Sequence, residues 1–574
     1  MINAIGRKSR QIVQDPVLRH WLIGRVFLRH NGEPRFIAHQ PPYLAHLLPL
    51  NTEIPSWQQM ENPPRDHLRQ SITIDLAGTS LTLDPQAPEE LFEQHFDDAE
   101  TLLAVHRFSW LPLLGPTVDV AWVSALWQVW AKRYGTCIKG WAWHPYTAVE
   151  RAINILDFSE SFGLPGTTGA TTELLANHAP AIAAGLEYFG DHHTSNHLSN
   201  NGRGLFRLGL TLSLPAATEI GAQILLNEAT RIFSPSGVLR EGSSHYHLLL
   251  TRNYVDAWLT ARAHAHPETA SLEAVVRQAF SVLPYFNLTA GMPLIGDISP
   301  DAPPSYFAGL LPGGDASMGW TGNLGAAQRQ SVVSLRDNVV AADLDTLRRD
   351  GWMRFDHELW SGLWHVEPEG WSHMPGHGHQ DLGSFELHYG ETAVFVDAGR
   401  GSYGDVGEAA RYRSAHVHNT LTVDGADPYP PNRPYYDAAF RRTAGGLPPE
   451  FNCSEDTVHV EHHGYERLTR VGAVHRQWQF SEHAVTIRDT VTGTGSHLIR
   501  QALLTPLEVI VDGNTTKLIG GGHCFRLCAN ARLWVEPATQ WLAYGVGKPA
   551  SLIVAEQTAT LPWSNEIILT VDQV

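Results

Sequence analysis

Leu347-Arg348-Arg349-Asp350-Gly351-Trp352-Met353-Arg354-Phe355 is where the chain changes its hydrophobic period. On the N-terminal side, apolar residues recur at helical spacing. Between Asp119 and Gly135 they fall at Val120, Val123, Leu126, Trp127, Trp130 and Tyr134, with Gly135 as the stop. Leu272, Val275, Val276, Ala279, Phe280 and Leu283 repeat the pattern, with Glu273, Arg277 and Gln278 on the other face. On the C-terminal side the period becomes two. Phe385, Leu387 and Tyr389 alternate with Glu386 and His388, Gly390-Glu391 turns, and Thr392 to Val396 returns. Val485, Ile487 and Val491 alternate with Thr486, Arg488 and Thr490, and Thr420–Val423 and Ile567–Val571 are further short strands. Short strands with turn signals predict an antiparallel sandwich. The reading is an α+β multidomain chain, with a helical domain over 1–344 (1–100 partly irregular) and a β domain over 345–574.

At 574 residues the chain exceeds what one core usually organises, which agrees with two large domains. Hydrophobic residues make up 43% and charged residues 17%, a composition that folds. The formal net charge of −18 argues against a general nucleic-acid partner, which needs a basic face. It leaves room for an acidic ligand in a local basic cleft. Only five of the 41 basic residues are Lys. Arg is the better bidentate partner for carboxylate or sulfate, though a GC-rich genome gives the same bias. Cys137, Cys453, Cys524 and Cys528 are too few and too scattered for a disulfide framework. No 18-residue apolar run predicts a membrane span. No apolar run of signal-peptide length precedes Pro16, so the cytoplasm is the expected compartment, or an exported one if a leader has been removed. Oligomeric state is open, a homodimer included.

Three segments concentrate polar chemistry. The first is His373-Met374-Pro375-Gly376-His377-Gly378-His379-Gln380-Asp381, followed by Asp397 at a strand end and by His416-Val417-His418-Asn419. Histidines and carboxylates within this stretch make a credible divalent-metal set. The second is Asn196-His197-Leu198-Ser199-Asn200-Asn201-Gly202-Arg203-Gly204, where two glycines are expected to interrupt a helix. Its amides and His suit either ligand contacts or caps and turns. The third is Arg240-Glu241-Gly242-Ser243-Ser244-His245-Tyr246-His247. A Tyr between two His and beside a Glu suits either a tuned acid/base or a structural hydrogen bond.

Together with His106-Arg107-Phe108-Ser109-Trp110-Leu111, Trp143-His144-Pro145-Tyr146, Glu150-Arg151 and Asn154, these segments resemble the heparinase II/III-like polysaccharide lyases. Ser384-Phe385-Glu386-Leu387, Val396-Asp397-Ala398-Gly399, Arg413-Ser414-Ala415-His416 and His475-Arg476-Gln477-Trp478 carry the likeness through the β half, so that it spans roughly residues 100–510. The resemblance implies an incomplete α/α toroid followed by an antiparallel β-sandwich, with the active cleft between them. It implies Asn196, His197, Tyr246 and His377 as catalytic residues. Arg240, Glu241, Arg151 and Arg413 are the expected substrate contacts. His379, Asp397 and His418 are implied to hold a structural divalent metal, usually zinc, with no organic cofactor. The implied substrate is an acidic, uronate-containing polysaccharide cleaved by β-elimination.

In that reaction C5–H is removed beside a carboxylate and O4 is protonated as it leaves. Donors that neutralise the carboxylate stabilise the enolate-like transition state. Asn196, with His197 or Arg240, suits this task. Tyr246 suits the acid, and either Tyr246 or His377 the base. Two other functions fit the residues. A glycoside hydrolase needs two opposed carboxylates, for which Glu150, Glu241 and Asp297 are candidates. A non-catalytic glycan-binding protein of a polysaccharide assembly system needs none. A catalytic site would be composite, with neither half active alone.

Overall fold

The computed structural model describes residues 12–13, 15–27, 40–50, 68–190, 196–371, 376–431, 433, 436–512 and 515–572. His373 lies outside them. The change of period is a change of structure. The last helix of the first half, Leu344–Arg349, is followed directly by the strand Trp352–His357.

The helical half is an incomplete toroid. Its longest members are Val120–Tyr134, Pro145–Phe162, Thr168–Ala184, Asn196–Thr211, Pro215–Ile232 and Ser244–Ala263. Asp119 caps the first, accepting the Ala121 and Trp122 N–H groups, and Gly135 ends it. Its apolar stripe lies in a core of large aromatics that includes Trp110, Trp122, Trp127 and Trp130. The helix Asn196–Thr211 runs unbroken through Gly202 and Gly204, contrary to the expected interruption. The glycines serve close packing instead. A Cβ on Gly202 would lie 2.6 Å from Ile224 Cγ2, and one on Gly204 2.5 Å from Val149 Cγ2. The same helix carries two buried arginines toward the interior. Arg203 donates to Asp256 at 2.6 Å and Glu150 at 2.9 Å, and Arg207 binds Asp256 and Asp157.

Among the described residues, the β half contains three antiparallel sheets. An eight-stranded sheet runs, edge to edge, Glu508–Asp512, Thr515–Gly520, His523–Ala529, Trp563–Val571, Ala484–Gly493, Val471–Ser481, Thr457–His462 and Glu450–Cys453. Facing it are two four-stranded sheets. One orders Leu533–Ala543, Val546–Thr560, Ser496–Thr505 and Leu421–Val423. The other orders Trp352–His357, Trp360–His365, Ser384–Tyr389 and Thr392–Phe395. Val485, Ile487 and Val491 point inward as their alternation predicts. Val485 and Ile487 join Trp364, Phe385 and Trp478 in the sandwich interior, where the Trp364 and Trp478 rings meet edge to face at 5.6 Å, and Val491 packs with Val423, Val474 and Ile499.

Ser384–Tyr389 departs from its alternation, because all six residues are buried. The helical half covers the polar face. His388 Nδ1 accepts the Ala290 N–H, and burial pushes the Glu386 carboxyl up to about 8. The helix Pro16–Phe27 packs on the sandwich although it lies far from the β half in sequence. Asp15 accepts from Arg467 at 2.8 Å, and Trp21 packs against Tyr436 and Phe440. Among the described residues, no helix is long and apolar enough to cross a membrane, and the four cysteines are unpaired.

These contacts predict opposite outcomes for two glycines in helices. Gly204→Ala should destabilise the protein by about 1–3 kcal/mol through overpacking against Val149. Gly169→Ala, with open space around it, should be neutral or stabilising by about 0.5–1 kcal/mol. Chemical denaturation of both variants checks this, and equal midpoints would contradict it.

Candidate active site

Three backbone segments meet where the two halves join. Residues 241–244 precede and open the helix Ser244–Ala263, 295–297 belong to a loop of the helical half, and 376–379 belong to the β half. They are stitched by main-chain bonds. His377 N–H donates to Glu241 O at 2.9 Å, Asp297 N–H to His377 O at 2.8 Å, and Ser244 N–H to Ile295 O at 3.0 Å. Gly296, at φ +80°, permits the approach, because a Cβ there would stand 2.5 Å from Gly242 O. Ser243 caps the helix, accepting Tyr246 N–H, and its hydroxyl donates to Asp297 O.

This stitching places Tyr246 and His377 face to face. Their rings stack at 3.4 Å between centroids with an 11° interplanar angle. The Tyr246 hydroxyl lies 2.7 Å from that of Tyr403. Tyr403 donates its own proton to Ile298 O at 3.1 Å, so Tyr246 is the donor in the pair. Burial pushes the Tyr246 hydroxyl well above the ordinary tyrosine range. Tyr246 therefore rests protonated.

His377 is held from both edges. Nδ1 lies 3.2 Å from Asp297 Oδ2, and Nε2 lies 3.5 Å from Glu241 Oε2. Asp297 Oδ1 also receives His379 Nε2–H at 2.9 Å and Arg400 Nη1–H at 3.1 Å. Burial alone would raise the Asp297 carboxyl. The bonds from the two histidines and the charge of Arg400 hold it well below the usual range instead, so it is ionised. Arg400 also ties down the loop that carries Tyr403, donating to Gly404 O and Ala409 O.

Glu241 links this pair to the second segment. Its Oε1 accepts the Asn196 backbone N–H at 2.6 Å, at the head of the helix Asn196–Thr211. One residue on, His197 Nδ1 lies 2.6 Å from Glu187 Oε1, and the His197 ring packs on Tyr146 at 4.7 Å. Glu187 is fixed in turn by Asn201 Nδ2 at 2.9 Å. Burial works against a charged His197, but Glu187 outweighs it and raises the pKa above 6.5.

The third cluster lies behind His377. Ligand atoms of buried His379, Asp397 and His418 lie within 4.8 Å of one another. His418 Nε2–H donates to Tyr412 O at 3.2 Å, and His379 Nε2–H is engaged by Asp297. Each ring thus has its Nδ1 left for the cluster. His379 Nδ1 is buried without a hydrogen-bond partner, and His418 Nδ1 lies 2.8 Å from Asp397 Oδ2. An orphaned buried nitrogen beside a carboxylate and a second imidazole fits a divalent metal with N and O preference.

Asn196, His197, Tyr246 and His377 are thus brought together, and His379, Asp397 and His418 form a cluster of their own. The expected substrate contacts divide. Arg240 is exposed, and Arg413 is partly exposed beside Asp405. Glu241 is fully buried and serves to position its neighbours. Arg151 does not join this group. It is fully buried, with its guanidinium over Trp130 and bonded to His106 O, Ala142 O and His178. Sequence reasoning missed Tyr403, Arg400 and Glu187, and it weighed Asp297 only as a hydrolase carboxylate. Arg400-Gly401-Ser402-Tyr403, directly after Val396-Asp397-Ala398-Gly399, was the available signal.

Residues 341–571 match the family model described as Heparinase II/III-like, C-terminal. The β half is thus similar to the C-terminal domain of heparinase II/III-like proteins. The resemblance drawn from the motifs therefore holds over that half. Across both halves the fold is that of heparinase III, whose crystal structure aligns over 90% of this chain and 87% of its own at 15% identity and a TM-score of 0.62. A mutant of heparan sulfate lyase HepC from Pedobacter heparinus aligns over 84% of this chain and 78% of its own at 16% identity and a TM-score of 0.53. No curated protein sequence matches the chain. His377 and the three-residue cluster come from the matched half, whereas Asn196, His197 and Tyr246 come from the toroid.

The His197–Glu187 pair generates a pH prediction. A raised pKa means that the pair's contribution to stability is complete below the unfolded value of about 6.5 and is lost as pH rises through the folded value. NMR titration should place His197 above 6.5, and Glu187→Gln should bring it down. An unshifted His197 in the wild type would contradict this.

Proposed function

We propose that this protein is a polysaccharide lyase that cleaves a uronate-containing glycan by β-elimination. The observation that carries the reading is the stack of His377, from the sandwich, on Tyr246, from the toroid. It puts a protonated phenol and an imidazole at one point of the cleft, as adjacent removal of C5–H and protonation of O4 require.

Each residue has a role that follows from its surroundings. Tyr246 is the acid: burial keeps its proton on the oxygen until O4 develops negative charge. His377 is the base. The ionised Asp297 accepts its Nδ1–H, which fixes the tautomer and leaves Nε2 for C5–H. Glu241 Oε2, at 3.5 Å, lies beyond good hydrogen-bond distance of that nitrogen. His197, drawn toward the cationic form by Glu187, and Asn196 beside it neutralise the uronate carboxylate as the enolate develops. Such preorganised donors are worth about 3–4 kcal/mol each. Arg413 and Arg240, on the accessible side, suit further acidic groups of the polymer. That heparinase III and heparan sulfate lyase HepC share the fold agrees with an acidic glycan.

His379, Asp397 and His418 would hold a divalent ion, and their donor set favours zinc. When bound, the ion would cross-link the segments around 379, 397 and 418 and stiffen the wall behind His377. The three carboxylates weighed for a hydrolase have other tasks here. Glu150 is consumed by Arg203, and Glu241 and Asp297 face opposite edges of one imidazole, with no gap for a sugar and a water.

Incubation with heparan sulfate, alginate, hyaluronan and bacterial exopolysaccharides should give, on at least one polymer, a product absorbing in the near-UV. Tyr246→Phe and His377→Ala should each reduce its rate by about 10²–10⁴-fold. New reducing ends without the chromophore, or unchanged rates in both variants, would overturn the reading. Removal of metal by a chelator should lower the unfolding temperature, and zinc should restore it. A temperature insensitive to both would exclude a metal at the cluster.

A further inference from the structure

We propose that Asp297 is a positioning residue that couples the His379–Asp397–His418 cluster to His377, so that metal binding and the alignment of His377 depend on one carboxylate. The kinetic part of this proposal rests on the lyase reading, but the metal-binding part does not.

An ionised carboxylate only accepts. Oδ1 therefore receives Nε2–H of His379 at 2.9 Å, and Oδ2 receives Nδ1–H of His377 at 3.2 Å. The first bond commits His379 to Nδ1 as its ligand atom, and that is the nitrogen buried without a partner. The second commits His377 to a lone pair or a second proton on Nε2, the nitrogen 3.5 Å from Glu241 Oε2. Arg400 Nη1, on Oδ1 at 3.1 Å, keeps the carboxylate charged and oriented. Asp297 is itself anchored through its backbone, with its N–H on His377 O and its C=O receiving the Ser243 hydroxyl. Two histidines two residues apart thus answer to one side chain, and that side chain belongs to the other half of the molecule. A ligand histidine whose second N–H is held by a carboxylate binds metal more tightly, and loss of such a partner typically costs 10–100-fold in affinity or activity.

An asparagine at 297 keeps the shape but offers one oxygen and an NH₂ group, so it cannot accept from His377, His379 and Arg400 together. Zinc titration of Asp297→Asn, in competition with a chromophoric chelator, should show about 10–100-fold weaker binding than the wild type. His377→Ala should bind zinc within threefold of the wild type. On any polymer that the wild type cleaves, Asp297→Asn should lower kcat by at least tenfold and leave KM within threefold. A wild type that cleaves none of the polymers defeats the lyase reading, and the zinc titration still decides the coupling. The second measurement uses the wild type and needs no variant to fold. In ¹⁵N-histidine spectra, zinc alone should shift the ring resonances of His377, which is not a ligand. Zinc affinity unchanged in Asp297→Asn, or His377 resonances indifferent to zinc, would overturn the proposal.

Discussion

The carboxylate of Asp297 is shared by three donors from the β half while its backbone is bonded to the segments on either side. It is buried, and it is the ion on which the junction of the two halves turns. Removing one partner of such a network strands the others, at a cost of about 3–5 kcal/mol. The desolvation of Asp297 is offset only when His377, His379 and Arg400 are all in place, so the toroid and the sandwich dock in one register. Three glycines around it make the docking sterically possible. Gly242, Gly296 and Gly376 each sit at positive φ, and each lies against a backbone or side chain of a neighbouring segment.

From that register the chemistry of the cleft follows. The toroid contributes a phenol kept protonated by burial and a histidine drawn toward its cation by Glu187. The sandwich contributes an imidazole laid flat on the phenol. Glu241 ties the head of the helix Asn196–Thr211 to the same point, although no part of it is exposed. Electrostatic preorganisation of this kind holds the groups before substrate arrives and needs little rearrangement during reaction. The proposed elimination asks for that arrangement: a fixed acid, a fixed base, and positive charge beside the carboxylate.

Much of the fold is legible in the sequence because period follows burial. Val485–Val491 buries the face that its spacing predicts, and Val120–Tyr134 does so from Val123 to Trp130, with Val120 exposed at its first turn. The exceptions have tertiary causes. Ser384–Tyr389 reads as half-exposed but is buried on both faces, since the toroid covers Glu386 and His388. Gly202 and Gly204 read as breaks but lie inside a helix, where they admit Ile224 and Val149. In the site, residues in dense motifs were legible. Tyr403, Arg400 and Glu187 were not, because the contacts that give them a role, to Tyr246, Asp297 and His197, are made by the fold and not by a local motif. Arg151 was misread for the complementary reason, since an arginine inside a motif gives no sign of whether it faces a cleft or a tryptophan.

The central claim is that one composite cleft presents a carboxylate site on the toroid and an acid–base pair across the junction. A crystal structure of Tyr246→Phe with a uronate oligosaccharide bound tests it most directly. The account predicts the sugar carboxylate within hydrogen-bond distance of Asn196 or His197, O4 over the ring edge at position 246, and C5 nearest to His377 Nε2. An oligosaccharide seated away from this junction, or one whose carboxylate faces solvent while C5 lies far from both residues, would contradict it.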